Sequence, residues 1–234
     1  MRRNQEILKS FKHELIVSCQ ALPEEPLHSP YIMARMAYAA MMGGAKGIRA
    51  NSIEDIREIK KTVSLPIIGI IKQVSDESDV FITPTLKEVD LLYEEGIDII
   101  AIDATNRIRP DGKVISEVFP AIRKRYSNQL FMADCSTYEE AKQAYELGFD
   151  CLGTTLSGYT TYTQGTKLPD TELITRLVKD FPVPIIAEGG IWTPEQLNSV
   201  FELGAYAAVV GTAITRPMDI TKRFVKAIKS DVEG

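Results

Sequence analysis

Short apolar runs rich in β-branched residues recur eight times along this chain, separated by longer stretches whose apolar residues fall at helical spacing. Alternation of this kind puts helices against the faces of a parallel sheet. The runs lie at Leu15 to Gln20, Gly47 to Arg49, Ile67 to Lys72, Ile99 to Asp103, Leu130 to Asp134, Cys151 to Thr154, Ile185 to Glu188 and Ala207 to Gly211. Eight βα units in 234 residues leave only short connections, which predicts an α/β fold: a single-domain (β/α)8 TIM barrel over 1–234, not a doubly wound sheet with insertions. The first fifteen residues read as a short amphipathic N-terminal helix, because Gln5, Glu6, Lys9, Ser10 and Lys12 interrupt any signal-peptide core.

Helix boundaries carry their own signals. Ser29-Pro30, Ser52 before Ile53-Glu54-Asp55, and Thr193-Pro194-Glu195 are start signals, and Gly43, Gly96, Gly148 and Gly204 stand where left-handed caps would end helices. The least regular stretches, Gln73 to Pro84 and Leu156 to Pro169, follow the third and sixth strands and are candidate lids.

Composition narrows the function classes. A net charge of −5 with scattered lysines and arginines gives no footprint for nucleic acid. The longest apolar runs, such as Leu65 to Ile71, fall far short of the roughly 18 residues a membrane span needs. Cys19, Cys135 and Cys151 form no Cys-x-x-Cys pair and read as buried thiols in a reducing cytosol. The two histidines, His13 and His28, flank the first strand, so no histidine and carboxylate ligand set spreads over the strand ends; the expectation is chemistry without metal or cofactor.

In a barrel the C-terminal strand ends build the site, and here they carry Gln20, Arg49, Lys72, Asp103, Asp134, Thr154 with Thr155, Glu188 and Gly211 with Thr212. Arg49 and Asp134 read either as substrate contacts or as a rim ion pair, and Asp103 either as a site residue or as a brace for the loop holding Asn106 and Arg107. Gly189-Gly190 and Gly211-Thr212 follow strands seven and eight, the recurrent phosphate site of this fold, with Arg216 nearby. Lys72 and Glu188 leave strands three and seven, opposite one another in a ring of eight. Groups so placed can approach a carbon from two faces, which is what inversion by proton removal and return requires.

Nine segments then resemble one family: Ser18-Cys19-Gln20, Gly47-Ile48-Arg49-Ala50-Asn51, Gly69-Ile70-Ile71-Lys72, Ile82-Thr83-Pro84-Thr85, Asp103-Ala104-Thr105-Asn106, Met132-Ala133-Asp134-Cys135-Ser136, Gly153 to Tyr159, Ala187-Glu188-Gly189 and Ala213 to Pro217. In this order, from Glu14 to Lys229, they are similar to the N-acylmannosamine-6-phosphate 2-epimerases. The resemblance implies interconversion of N-acetylmannosamine 6-phosphate and N-acetylglucosamine 6-phosphate in sialic-acid and amino-sugar catabolism, with Lys72 and Glu188 as the acid/base pair. It also implies that Arg49, Asp134 and Arg216 orient that pair or the substrate. Gln20 and Thr154 complete the expected substrate contacts, and Gly189, Gly190, Gly211 and Thr212 the phosphate cradle. The expected partner is a small sugar phosphate, with a homodimer as one option and no nucleic acid or membrane. Fold alone also admits a ketose-phosphate epimerase or isomerase, or a sugar-phosphate sensor without turnover. Whether Lys72 alone moves the proton or shares the task with Glu188 stays open, as does who opens the sugar ring.

Overall fold

The computed structural model of the protein describes residues 2–230, so the outermost ends of the expected 1–234 span lie outside the described residues. Eight parallel strands close into a barrel in chain order: β1 (Leu15–Cys19), β2 (Gly47–Asn51), β3 (Ile67–Ile70), β4 (Ile99–Asp103), β5 (Leu130–Asp134), β6 (Cys151–Gly153), β7 (Ile185–Glu188) and β8 (Ala207–Val210). Closure comes from β8 pairing back onto β1, with Leu15 beside Ala208 and Val17 beside Val210. The helices are α1 (Arg2–Ser10), α2 (Pro30–Met42), α3 (Ile53–Thr62), α4 (Leu86–Glu94), α5 (Ile115–Arg125), α6 (Tyr138–Leu147), α7 (Thr171–Asp180), α8 (Pro194–Glu202), the single turn α9 (Thr212–Thr215) and α10 (Pro217–Ser230). All eight predicted strands are present. Their ends shift: β1, β3, β6 and β8 stop one or two residues before the polar positions read as strand ends, and β2 runs on to Asn51.

Side-chain alternation splits each strand between two cores. Ile16, Ile68, Ile70, Ile99, Met132, Cys151, Ile186 and Val209 fill the lumen. Their neighbours Val17, Ile48, Ala50, Ile100, Ala133 and Leu152 face the helices instead. The lumen-facing set continues upward into polar residues, which is how a strand buried along its length still delivers a reactive side chain at its end. At the opposite end Ile7 and Phe11, from α1 and the turn after it, join the lumen cluster and plug the barrel floor. The plug dictates Gly47: a Cβ there would lie 2.5 Å from Phe11 Cε1.

Start signals act as the sequence predicts at Ser52, whose hydroxyl accepts from Asp55 N at 3.2 Å, and at Thr193, which forms a reciprocal capping box with Gln196. Ser29 caps α2 without a side-chain hydrogen bond, leaving Pro30 to set the first turn. Gly96, Gly148 and Gly204 take the expected left-handed conformation. Gly43 does not: its φ is −75°, and the reversal falls on Gly44 at 103° because α2 carries one further residue before turning. Among the described residues no helix is long and apolar enough to cross a membrane.

Candidate active site

A cavity of about 230 Å³ opens at the C-terminal end of the strands. Its walls are the upper lumen-facing positions of six strands: Ser18 and Gln20 from β1, Arg49 from β2, Ile70 and then Lys72 after β3, Thr155 after β6, Glu188 at the end of β7, and Val209 and Gly211 from β8. Because β3 and β7 are four strands apart in the closed order, Lys72 and Glu188 enter this cavity from opposite sides.

Beneath the cavity lies a buried ionic centre. Arg49 Nη1 and Nη2 donate to Asp134 Oδ1 and Oδ2 at 3.1 and 2.5 Å, and Nη1 also lies 3.0 Å from Glu188 Oε2. The Arg49 and Asp134 side chains are 1% and 0% exposed, whereas Glu188 retains 13%. Such a fork-shaped pair offsets two desolvation costs at once. Asp134 is thus the ion-pair partner of Arg49 and does not line the cavity. Thr155 Oγ1 adds a contact to Asp134 Oδ1 at 2.6 Å and another to Glu188 Oε2 at 3.2 Å.

Lys72 leaves β3 along the same face as Ile68 and Ile70, and its departure is fixed by Asn51 Oδ1, which accepts from Lys72 N at 2.7 Å. The segment beyond it, expected to be irregular, is an antiparallel turn in which Lys72 pairs with Ile82 and Ser75 with Ser78; Phe81 and Ile82 join the cavity wall. Among the described residues the Lys72 amine makes no hydrogen bond or ion pair. Burial, reinforced by the positive charges of Arg49 and Arg216, pulls it down to about 8. Burial pushes Glu188 up to about 7, with Asp134 adding to the rise and Arg49 and Lys72 opposing it. An amine and a carboxyl whose ordinary values lie about six units apart are thereby brought close together in one cavity.

On the far rim, Gly189 and Gly190 adopt φ of 108° and 69° and line the cavity together with Gly211 and Thr212. Gly190 is sterically required, since a Cβ there would lie 2.2 Å from Leu168 Cβ. Arg216, at the junction of α9 and α10, also lines the cavity and is held by Glu25.

Of the residues singled out in the sequence, Gln20, Arg49, Lys72, Glu188, Gly189, Gly190, Gly211, Thr212 and Arg216 come together around one cavity. Asp134 and Thr154 sit behind its wall, Thr154 on the helix-facing side of the strand direction that puts Cys151 and Thr155 inward. Asp103 braces its loop, accepting from Thr105 N at 3.0 Å and from Arg107 Nη2 at 2.7 Å. Thr155, read beside Thr154 at the sixth strand end, lines the cavity, as do Ser18 and Tyr159, which entered only within the quoted segments, and Trp192, which was not singled out. The period of two along β1 and β6 is the signal that marks Ser18 and that prefers Thr155 to Thr154. Tyr159 and Trp192 come from loops, where no period exists. Among the described residues no group of three or more His, Cys, Asp or Glu side chains is placed to hold a metal ion.

Comparison with known proteins gives a consistent picture. The sequence model of a family described as "Putative N-acetylmannosamine-6-phosphate epimerase" matches residues 33–230. A protein of Clostridioides difficile strain 630 named "Putative N-acetylmannosamine-6-phosphate 2-epimerase" is 56% identical over 223 residues, covering 95% of this chain and 99% of its own. A namesake from Caldanaerobacter subterraneus subsp. tengcongensis is 56% identical over 224 residues, 96% of this chain and 94% of that one. The solved structure of the N-acetylmannosamine-6-phosphate 2-epimerase from Clostridium perfringens superposes with a TM-score of 0.90 at 53% identity, covering 94% of this chain and 96% of that one.

Proposed function

The chain belongs to the N-acetylmannosamine-6-phosphate epimerase family, and from that premise we propose that it interconverts N-acetylmannosamine 6-phosphate and N-acetylglucosamine 6-phosphate, with Lys72 and Glu188 as its acid/base pair. The observation that carries the reading is the placement of these two groups on opposed strands around one cavity, each displaced by burial toward neutral pH. The C2 proton is acidic only beside a free C1 carbonyl, so the open-chain sugar reacts. The neutral amine of Lys72 takes the proton from one face; the electron pair moves to the carbonyl oxygen as an enolate, and Glu188 returns a proton to the other face. Run backwards, the roles exchange. Arg49 keeps its charge despite burial, because Asp134 and Glu188 favour the cation, and so steadies Glu188.

The 6-phosphate is assigned to the rim formed by Gly189, Gly190, Gly211 and Thr212, with Arg216 as its cation. Positive φ at the first two, which glycine adopts without strain, shapes a tight turn whose backbone amides can meet an anion. Holding the phosphate there positions C2 between the two acid/base groups, so remote binding energy enters the rate as well as the affinity. Gln20 is a further substrate contact. The reaction needs no metal or cofactor, and full turnover after exhaustive chelation is the expected result. Cytoplasmic residence in sialic-acid catabolism follows from the activity. A homodimer is supported by α10, which leaves Phe224 and Ile228 68% and 70% exposed; light scattering reads the mass.

NMR of the protein with N-acetylmannosamine 6-phosphate in deuterated water tests the function. Appearance of the second epimer with deuterium at C2 is expected, and an unchanged sugar spectrum would sink the proposal.

A further inference from the structure

Adjacent threonines after β6 hold Glu188 in two different ways. Thr154 engages its backbone, while Thr155, one residue on and therefore on the lumen side, reaches its carboxylate. The Thr155 contact is unusual in being doubled by another group. Arg49 Nη1 lies 3.1 Å from Asp134 Oδ1 and 3.0 Å from Glu188 Oε2, and Thr155 Oγ1 lies 2.6 and 3.2 Å from the same two oxygens. Two oxygens of like charge are thus bridged from both sides, once by a guanidinium and once by a hydroxyl proton shared between them. Glu188 Oε1 has no hydrogen-bonding partner among the described residues, although the residue opens onto the cavity.

We propose that Thr155 is a positioning residue for Glu188: with Arg49 it immobilises Oε2, leaving Oε1 as the oxygen that exchanges the proton with the sugar. The inference rests on the function proposed above for the same cavity, and adds a residue and an atom to it. The argument is one of geometry. A carboxyl free to rotate about its last bond presents either oxygen, whereas one oxygen held by two donors leaves a single orientation, and proton transfer depends on a donor and acceptor within about 3 Å. Thr155 touches neither reacting atom in this scheme; it acts through Glu188. Removing its hydroxyl also leaves the two carboxylate oxygens bridged on one side only, so their repulsion is less offset and the ionised form of Glu188 is disfavoured.

The test uses Thr155→Val, which keeps the shape and removes the hydroxyl, beside Thr155→Ser, which restores it. Carbon-13 NMR of labelled Glu188 in the substrate-free protein reads its titration directly, so this arm stands whatever the enzyme turns over. The midpoint is expected to rise by about one pH unit in the valine variant and to return to the wild-type value in the serine variant. Steady-state rates form the second arm: kcat should fall about tenfold or more in Thr155→Val with KM changed far less, and recover with serine. A midpoint that stays put or falls, or a serine variant that behaves like valine, overturns the proposal. If Thr155→Val does not fold, Thr155→Ala takes its place in both arms. Absence of turnover in the wild type would instead strike the function proposed above.

Discussion

Thr154 and Glu188 exchange two hydrogen bonds through one hydroxyl: Oγ1 donates to the Glu188 carbonyl at 2.9 Å and accepts from the Glu188 amide at 3.1 Å. The threonine read from sequence as a substrate contact is a clamp on the backbone of Glu188, which lines the cavity.

Thr154→Val should strip both bonds while keeping the volume. Leaving a buried amide and carbonyl unpaired costs about 1–3 kcal/mol, so the urea midpoint should fall, and kcat with it. A variant as stable and as active as wild type would show that the clamp is dispensable.

For the proposed acid/base pair, deuterium entry is followed separately from each epimer in Lys72→Ala and Glu188→Gln. If the two groups serve opposite faces, both variants lose net epimerisation, yet each still exchanges the C2 proton of one epimer. If Lys72 alone moves the proton, Lys72→Ala abolishes exchange in both epimers and Glu188→Gln slows exchange and inversion together. Losses of about 10² to 10⁴ in rate are expected. Wild-type turnover in both variants would remove the assignment altogether.

The pH profile carries the same distinction. With Lys72 pulled down to about 8 and Glu188 pushed up to about 7, a two-group reaction needs one proton shared by the pair. Activity should fall below about 7, where both groups are protonated, and again above about 8, where both have lost their protons. A rise through 8 to a high plateau would point to neutral Lys72 as the only base. In Asp134→Asn the acidic limb should move down, because a negative charge that disfavours ionised Glu188 is gone and Arg49 is left with Glu188 as its remaining partner. Breaking the buried Arg49 pair should also cost about 3–5 kcal/mol of stability, read by denaturant unfolding.

Asp55 supplies a stability prediction away from the cavity. It is buried on α3, and burial lifts it to about 6 from its ordinary 3.8, with Glu54 adding to the rise and His28 opposing it. An acid whose folded value is raised favours folding while protonated, and that contribution is lost as pH climbs from about 4 through 6. Asp55→Asn should therefore raise Tm by several degrees at pH 8 and change it little at pH 4. Equal effects at both pH values would refute the linkage.

Much of this was legible in the residues because strands and helices have different periods. Each of the eight apolar runs formed a strand, and nine of the eleven residues assigned to binding or catalysis line the cavity. The sequence was silent where a decision depends on one residue of parity or on what lies across the barrel. Thr154 and Thr155 are chemically identical; only the inward direction of Cys151 decides between them. Gly43 and Gly44 differ only in where α2 stops. Arg49 and Asp134 read equally as substrate contacts or as an ion pair, and only the meeting of their side chains across three strands decides how Asp134 is used.

The alternation that divides each strand between lumen and helices also sets which accidents the gene can survive. A loop that gains or loses a residue changes only a connection. One residue deleted within Leu130–Asp134 would swing Asp134 out toward α6 and leave Arg49 facing a side chain meant for the outer layer, and the same holds for Arg49 within Gly47–Asn51 and Glu188 within Ile185–Glu188. Length variation in this lineage should therefore collect in the connections, while the strands behave as fixed-length words in which a frame slip of one turns the site inside out.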